Sequence, residues 1–245
     1  MKVIISSGNG IADALAEALR PEKVDIFGLK VSASVVSAFL VTISVTVLCL
    51  VLRFVVLKEY KAVPTGVRLV LEKAVGFFDN IAKGAGHSAA RFVSPLIFGT
   101  AVFIFFGTFI EMFGFKPVFS SMSAGIAVGL VGFTTIQGLG IKEKGLGGRL
   151  KAQFSGGKVL GLVVGFFKTL SDVILPFSMA LRLFGSILSG MLIIEIVYFF
   201  LESLWMPLAV GLPGIVGVIF TLFHAVIQAY VFALLVSMFT GEATE

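Results

Sequence analysis

Arg182 stands in an apolar run, residues 175–197, that holds no other lysine or arginine. A guanidinium does not lose its proton inside a protein, and holding it at mid-membrane costs about 3 kcal/mol or more. A permanent cation kept at such cost can favour the ionised form of a nearby carboxylate. At about 100° per residue, Lys168, Ser178, Arg182, Ser186 and Ser189 fall on one stripe of a helix. Small hydroxyl side chains around a single cation let a second helix approach closely. Glu195 points almost the opposite way, together with Met191. On the last apolar segment Gly217, Thr221, His224 and Gln228 share a stripe. An imidazole beside an unpaired carboxylate suits proton relay, whereas a histidine held by one hydrogen bond is only a packing residue. Asp172 and Glu202 are weaker polar candidates; an aqueous wedge and a helix end account for them equally well.

The elements that carry these residues must be membrane helices. Hydrophobic residues make up 58% of the 245 positions and charged residues 13%, against about 25% charged in a soluble domain. Mean hydropathy is +1.07. A polar lead, 1–33, contains a short amphipathic stretch at 11–19 that Pro21 would end. The remainder, 34–245, reads as one membrane domain. Spans are expected at 35–57, 92–113, 124–141, 160–201 and 210–239. Between the first two, 64–83 combines basic residues with apolar ones at helical spacing, which predicts an amphipathic helix in the membrane interface. Gly145, Gly147 and Gly148 lack the GK[ST] ending of a phosphate loop and predict a flexible turn at the membrane edge. The segment 160–201 would measure roughly 60 Å as a helix, about twice the hydrocarbon thickness. Trp205, Pro207, Gly211, Pro213 and Gly214 predict a turn before an over-long last helix. Two adjacent helices of that length must tilt, kink or run partly along the membrane plane, and Pro176 offers a kink. The fold class is therefore an all-α integral membrane protein with five crossing helices and one interfacial helix.

The basic loops at 58–91 and 142–168 face the cytoplasm by the positive-inside rule, which puts the N-terminus outside and the C-terminus inside. The net charge of +5 resides in those loops, so nucleic acid is a poor candidate partner. Cys49 is the sole cysteine and excludes an internal disulfide or thiolate metal cluster. No secretory signal is read in the first thirty residues, an expectation that fits a bacterial or organelle-encoded chain. No nucleotide loop, metal site or cofactor site is read.

Ser178-Met179-Ala180-Leu181-Arg182-Leu183-Phe184-Gly185-Ser186 resembles the SLxLRLFGN signature of the a subunit of F-type ATP synthase. Gln228-Ala229-Tyr230-Val231-Phe232, followed by Leu234 and Leu235, is similar to that family's QAFIFxxL segment, and the glycine-rich stretch 141–148 is similar to its loop. The resemblance covers roughly 90–240. It implies a membrane-embedded stator subunit whose last two helices form a tilted hairpin against a ring of c subunits. Two aqueous half-channels would reach the ring from opposite sides. Arg182 would keep the passing carboxylate ionised and separate the channels, with Gln228 facing it. Partners would be the c-ring, the peripheral-stalk b subunits, the rest of the complex and the bilayer of a bacterial inner membrane. The chain would bind no nucleotide and would not itself be the catalyst.

The sequence departs from the family pattern at three places. Ser186 replaces an asparagine, Met191 an acidic residue, and Thr221 a histidine or glutamate. Glu195 and His224 each lie about one turn further on, which leads to the expectation that the outer polar pair has moved by a turn on both helices. Residues 117–123 contain no aspartate where the family has a PTxDxN-like stretch, so no site residue is carried over from it. Lys168, Asp172, Ser178, Ser186, Ser189, Glu202 and Thr221 remain candidates for lining the half-channels. A secondary transporter would also bury charge in broken helices, but no internal repeat of the Arg182 segment is found. A non-transporting scaffold leaves the polar stripes on the two longest helices unexplained.

Overall fold

The computed structural model describes residues 23–26, 29–56, 66–153, 160–204 and 206–244; the stretch at 11–19 lies outside them. The polar lead ends in an antiparallel pair, β1 (Lys23–Ile26) and β2 (Leu29–Ser32), with Lys23 opposite Ser32 and Ile26 opposite Leu29. This hairpin was not expected, although alternating Lys-Val-Asp-Ile and Leu-Lys-Val-Ser with two residues between them carry its pattern. Six helices follow: α1 (Ala33–Val51), α2 (Val67–Ala82), α3 (His87–Phe109), α4 (Met122–Gln153), α5 (Leu160–Leu204) and α6 (Met206–Thr244). A π turn, Leu52–Val56, extends α1, and a 3-10 turn, Ile110–Phe113, extends α3.

Five of the helices (α1, α3, α4, α5 and α6) are long and apolar enough to cross a membrane. On α2 the apolar and polar residues segregate most strongly, as an interfacial helix requires. Two segments differ from expectation. The glycine turn expected after residue 141 is narrower than the glycines suggest: a kink at Gly145, with φ 71° and ψ 161°, divides α4 into two helical stretches, and the second runs to Gln153. Positive φ is cheap for glycine and costly for other residues, so the break is confined to that position. The turn expected over 205–214 does not extend that far: α5 ends at Leu204 and α6 already starts at Met206, with Trp205 outside the described residues. Pro207 falls in the first turn of α6, where its missing N–H has no intrahelical acceptor to lose.

Packing follows the small and β-branched faces. One face of α3, comprising Ala89, Val93, Ile97, Ala101, Ile104 and Thr108, is buried at a spacing of three and four residues and packs on α6. On α6 the facing residues are Ala225, Ala229, Phe232, Ala233 and Val236. The most extensive contact is between α4 and α5. Phe39, Ile43 and Phe54 are 67%, 62% and 69% exposed, an outer surface that suits lipid and not water. Of the most apolar window in each span, α3 buries 39% and α1 only 11%, so α3 is central and α1 peripheral.

Lipid supplies no hydrophobic drive between helices, which leaves close backbone contact to hold them. A Cβ on Gly129 would lie 2.6 Å from the Pro176 carbonyl oxygen, and one on Gly125 would lie 2.9 Å from that of Ala180. These two glycines set how closely α4 approaches the helix that bears Arg182. Gly129→Val is expected to destabilise the bundle by about 1–3 kcal/mol, the usual cost of overpacking. It should lower the thermal transition of the purified complex in detergent; an unchanged transition would show that the α4–α5 contact is not tight. At the other end of α6, Ser237 Oγ donates to the Ile81 carbonyl at 2.5 Å and Thr244 Oγ1 to that of Ala85 at 3.3 Å.

Candidate functional site

A cleft with polar lining lies inside the helical bundle, between the end of α3, the second half of α5 and the middle of α6. Thr108, Glu111, Ile187, Gly190, Met191, Ile194, Phe220, Thr221 and His224 line it. Its polar groups come as two pairs with helical i, i+3 spacing: Thr108 and Glu111 from the α3 side, Thr221 and His224 from α6. A spacing of three puts both members of each pair on one helix face, and the packing of α3 on α6 brings the two faces together.

Each group is held by a definite neighbour. The Thr221 hydroxyl donates to the Glu111 carboxylate, and Thr221 is only 5% exposed. The imidazole of His224 stacks on Phe220, with ring centroids 5.8 Å apart and planes inclined by 10°. Phe220 in turn lies against α5 where Gly190 has no side chain; a Cβ there would stand 2.5 Å from its ring. Gly190 thus sets the depth of Phe220, and Phe220 the orientation of His224. The Nε2 atom of His224 is buried and has no hydrogen-bond partner among the described residues.

Of the residues singled out from the sequence, Thr221 and His224 meet in this cleft, with Met191 from α5. Glu195 and Glu202 lie on α5, and their side chains are outside the described set. Arg182 is exposed on α5, as are Ser178 and Ser189, while Ser186 is half-buried. Ser186 Oγ donates to the Leu183 carbonyl at 3.0 Å and Ser189 Oγ to that of Gly185 at 2.8 Å. Leu181, one residue from the arginine, is 52% exposed, and Met179, Ala180 and Leu183 are buried. The bundle therefore turns Arg182 outward and packs the opposite side of α5. Gln228 is buried, 6% exposed, on α6. Towards the far end of the same helix pair, Lys168 forms an ion pair with Glu242 at 3.5 Å; Asp172 follows one turn later and is half-buried.

Glu111 and Thr108 were not anticipated. Glu111 is the one carboxylate in the expected span 92–113, and the rule that flags ionisable residues inside apolar spans would have found it. Thr108 carries no such signal; only its burial and its place in the cleft distinguish it.

Residues 38–241 match the family model described as ATP synthase A chain. The chain is 29% identical to ATP synthase subunit a of Trichlorobacter lovleyi over 218 residues, covering 89% of this chain and 91% of that protein. It is 27% identical to the subunit a of Geobacter sulfurreducens, with the same coverage. It is also 30% identical to that of Anaplasma marginale over 82% of this chain and 83% of that protein. With a family match over most of its length and five apolar helices to span a bilayer, the chain belongs to the ATP synthase A chain family and is a multi-pass membrane protein.

Proposed function

We propose that this chain is the stator subunit that feeds ions to and from the rotating c-ring of an F-type ATP synthase, through two half-channels kept apart by Arg182. The observation that carries this reading is the cleft itself. It gathers a carboxylate, an imidazole and two hydroxyls between α3, α5 and α6, inside segments that are otherwise apolar. Intramembrane groups of this kind mark ion pathways by default. With the N-terminus outside, α3 and α5 run outward and α6 inward, so the cleft belongs to the outer half of the membrane. Lys168, Asp172 and Glu242 then belong to the inner half.

Arg182 faces outward from the bundle, where a partner subunit can pass it. A fixed cation there favours the ionised form of a passing carboxylate, which must take up an ion again before it re-enters lipid. Ser178 and Ser189 keep the flanking surface small. Gln228 supports the packing of α6 behind the arginine, and the b subunits hold the chain against the torque of the ring. The membrane is a bacterial plasma membrane, and the ion is the proton, which a carboxylate, an imidazole and hydroxyls can relay.

Proteoliposomes containing the whole complex test the reading. ATP addition is expected to acidify their interior, and a protonophore should collapse the gradient whereas a sodium ionophore should not. Uptake of radioactive sodium that a protonophore stimulates would show sodium coupling instead. No ATP-driven uptake of either ion by an intact, ATP-hydrolysing complex would contradict the stator role.

A further inference from the structure

Thr108 departs from the behaviour of other helix threonines in this protein. Thr42, Thr46, Thr100, Thr134, Thr135 and Thr240 each donate to the carbonyl four residues back, at 2.5–2.8 Å. That back-bond is the ordinary way for a threonine in an apolar helix to satisfy its hydroxyl. Thr108 is 1% exposed, yet its Oγ1 has no hydrogen-bond partner among the described residues. Among the described residues His224 Nε2 is the other side-chain atom in the same condition, and both residues line the same cleft. Thr221, also on that cleft, has its hydroxyl directed to Glu111.

Buried polar groups are nearly always satisfied by protein or by ordered water. The cleft has room for about one water molecule. A water also needs two to four polar partners. Thr108 Oγ1 and His224 Nε2 are two, and the Glu111 carboxylate on the same wall is a third.

We propose that the cleft is a built site for one ordered water, bridged between Thr108 and His224, and that Thr108 is the residue that positions it for ion passage. The inference rests on the half-channel reading given above and names a component of it. In the bridge the Thr108 hydroxyl donates to the water, which is then oriented toward the imidazole nitrogen. When a proton leaves the Glu111 carboxyl for the water and another leaves that water for Nε2, one positive charge moves and the water is unchanged. Ile187, Met191 and Ile194 give this point apolar walls, so the polar route runs through the bridge.

The test uses the whole complex in proteoliposomes, with Thr108→Val and Thr108→Ser compared with the native chain. Valine keeps the shape of threonine and removes the hydroxyl; serine keeps the hydroxyl. Thr108→Val is expected to lower ATP-driven uptake about five-fold, the rate equivalent of one net hydrogen bond, and Thr108→Ser to remain near native. A high-resolution map of the native complex should show solvent density about 3 Å from both Thr108 Oγ1 and His224 Nε2. Native uptake in Thr108→Val would overturn the positioning role. Equal losses in both variants would assign Thr108 to packing, and absent density would remove the water. If Glu111→Leu also left uptake at the native level, the half-channel reading itself would have failed and the bridge with it.

Discussion

Glu111→Leu is expected to lower ATP-driven ion uptake about a hundred-fold per assembled complex, the lower end of what a positioned proton-transfer group contributes. Leucine nearly fills the volume of the side chain, so loss of uptake reports the carboxyl and not a cavity. It also removes the acceptor of the Thr221 hydroxyl. Leaving that buried hydroxyl unpaired costs about 1–3 kcal/mol, so assembly must be measured alongside, by the amount of subunit that co-purifies with the complex. Glu111→Asp keeps the carboxyl and is expected to recover part of the rate. Glu195→Leu in the same assay settles which carboxylate serves His224. A sharp loss would place Glu195 on the path as well. Native uptake would remove it and leave Glu111 as the acidic partner.

The larger effect is expected at Arg182. Two unit charges about 4 Å apart interact by about 4 kcal/mol at an effective dielectric of about 20, which corresponds to about a thousand-fold in rate. Arg182→Ala should therefore abolish measurable ion pumping and ATP synthesis. Because its side chain is exposed on α5 and the opposite face carries the packing, folding and assembly should survive the substitution. With the fixed charge gone, a protonated carboxyl on the ring can pass the position unhindered. Membranes stripped of the soluble head should then leak ions passively faster than native ones. Arg182→Lys keeps a cation but loses the planar fork of donors and is titratable in an apolar setting; it should retain little coupled transport.

Much of this fold was legible because lipid imposes a simple rule: backbone groups must be satisfied within each helix, so long apolar runs are helices. The five spans and the amphipathic character of α2 follow from hydropathy and charge spacing alone. The start of α6 was not legible in the same way. Pro207, Gly211 and Pro213 are turn formers in water, but α6 already starts at Met206, and a helix tolerates a proline such as Pro207 in its first turn. The glycines near 145 did mark a turn, but their freedom permits more than one such position and only Gly145 uses it.

The site was legible in proportion to how local its signals are. Arg182 stands alone in its apolar run, and Thr221, His224 and Gln228 share a helical stripe, so sequence spacing suffices to select them. Glu111 joins them only through a contact with Thr221 across 110 positions of chain, which no periodicity encodes. Attention to stripes on the two longest helices drew the acidic partner toward Glu195, one turn from a substituted family position. The fold adds a carboxylate from a third helix, Glu111, beside Thr221 and His224, while the Glu195 side chain lies outside the described residues. Thr108 was the least legible, since its interest lies in a hydrogen bond that it does not make.

The most direct test of the central claim is ATP-driven acidification of proteoliposomes carrying the native complex or the Arg182→Ala complex, matched for assembled subunit and ATPase content. Acidification by the native complex and none by the variant is the expected result. Acidification at the native rate in the variant would contradict the role assigned to Arg182 and, with it, the separation of the two half-channels.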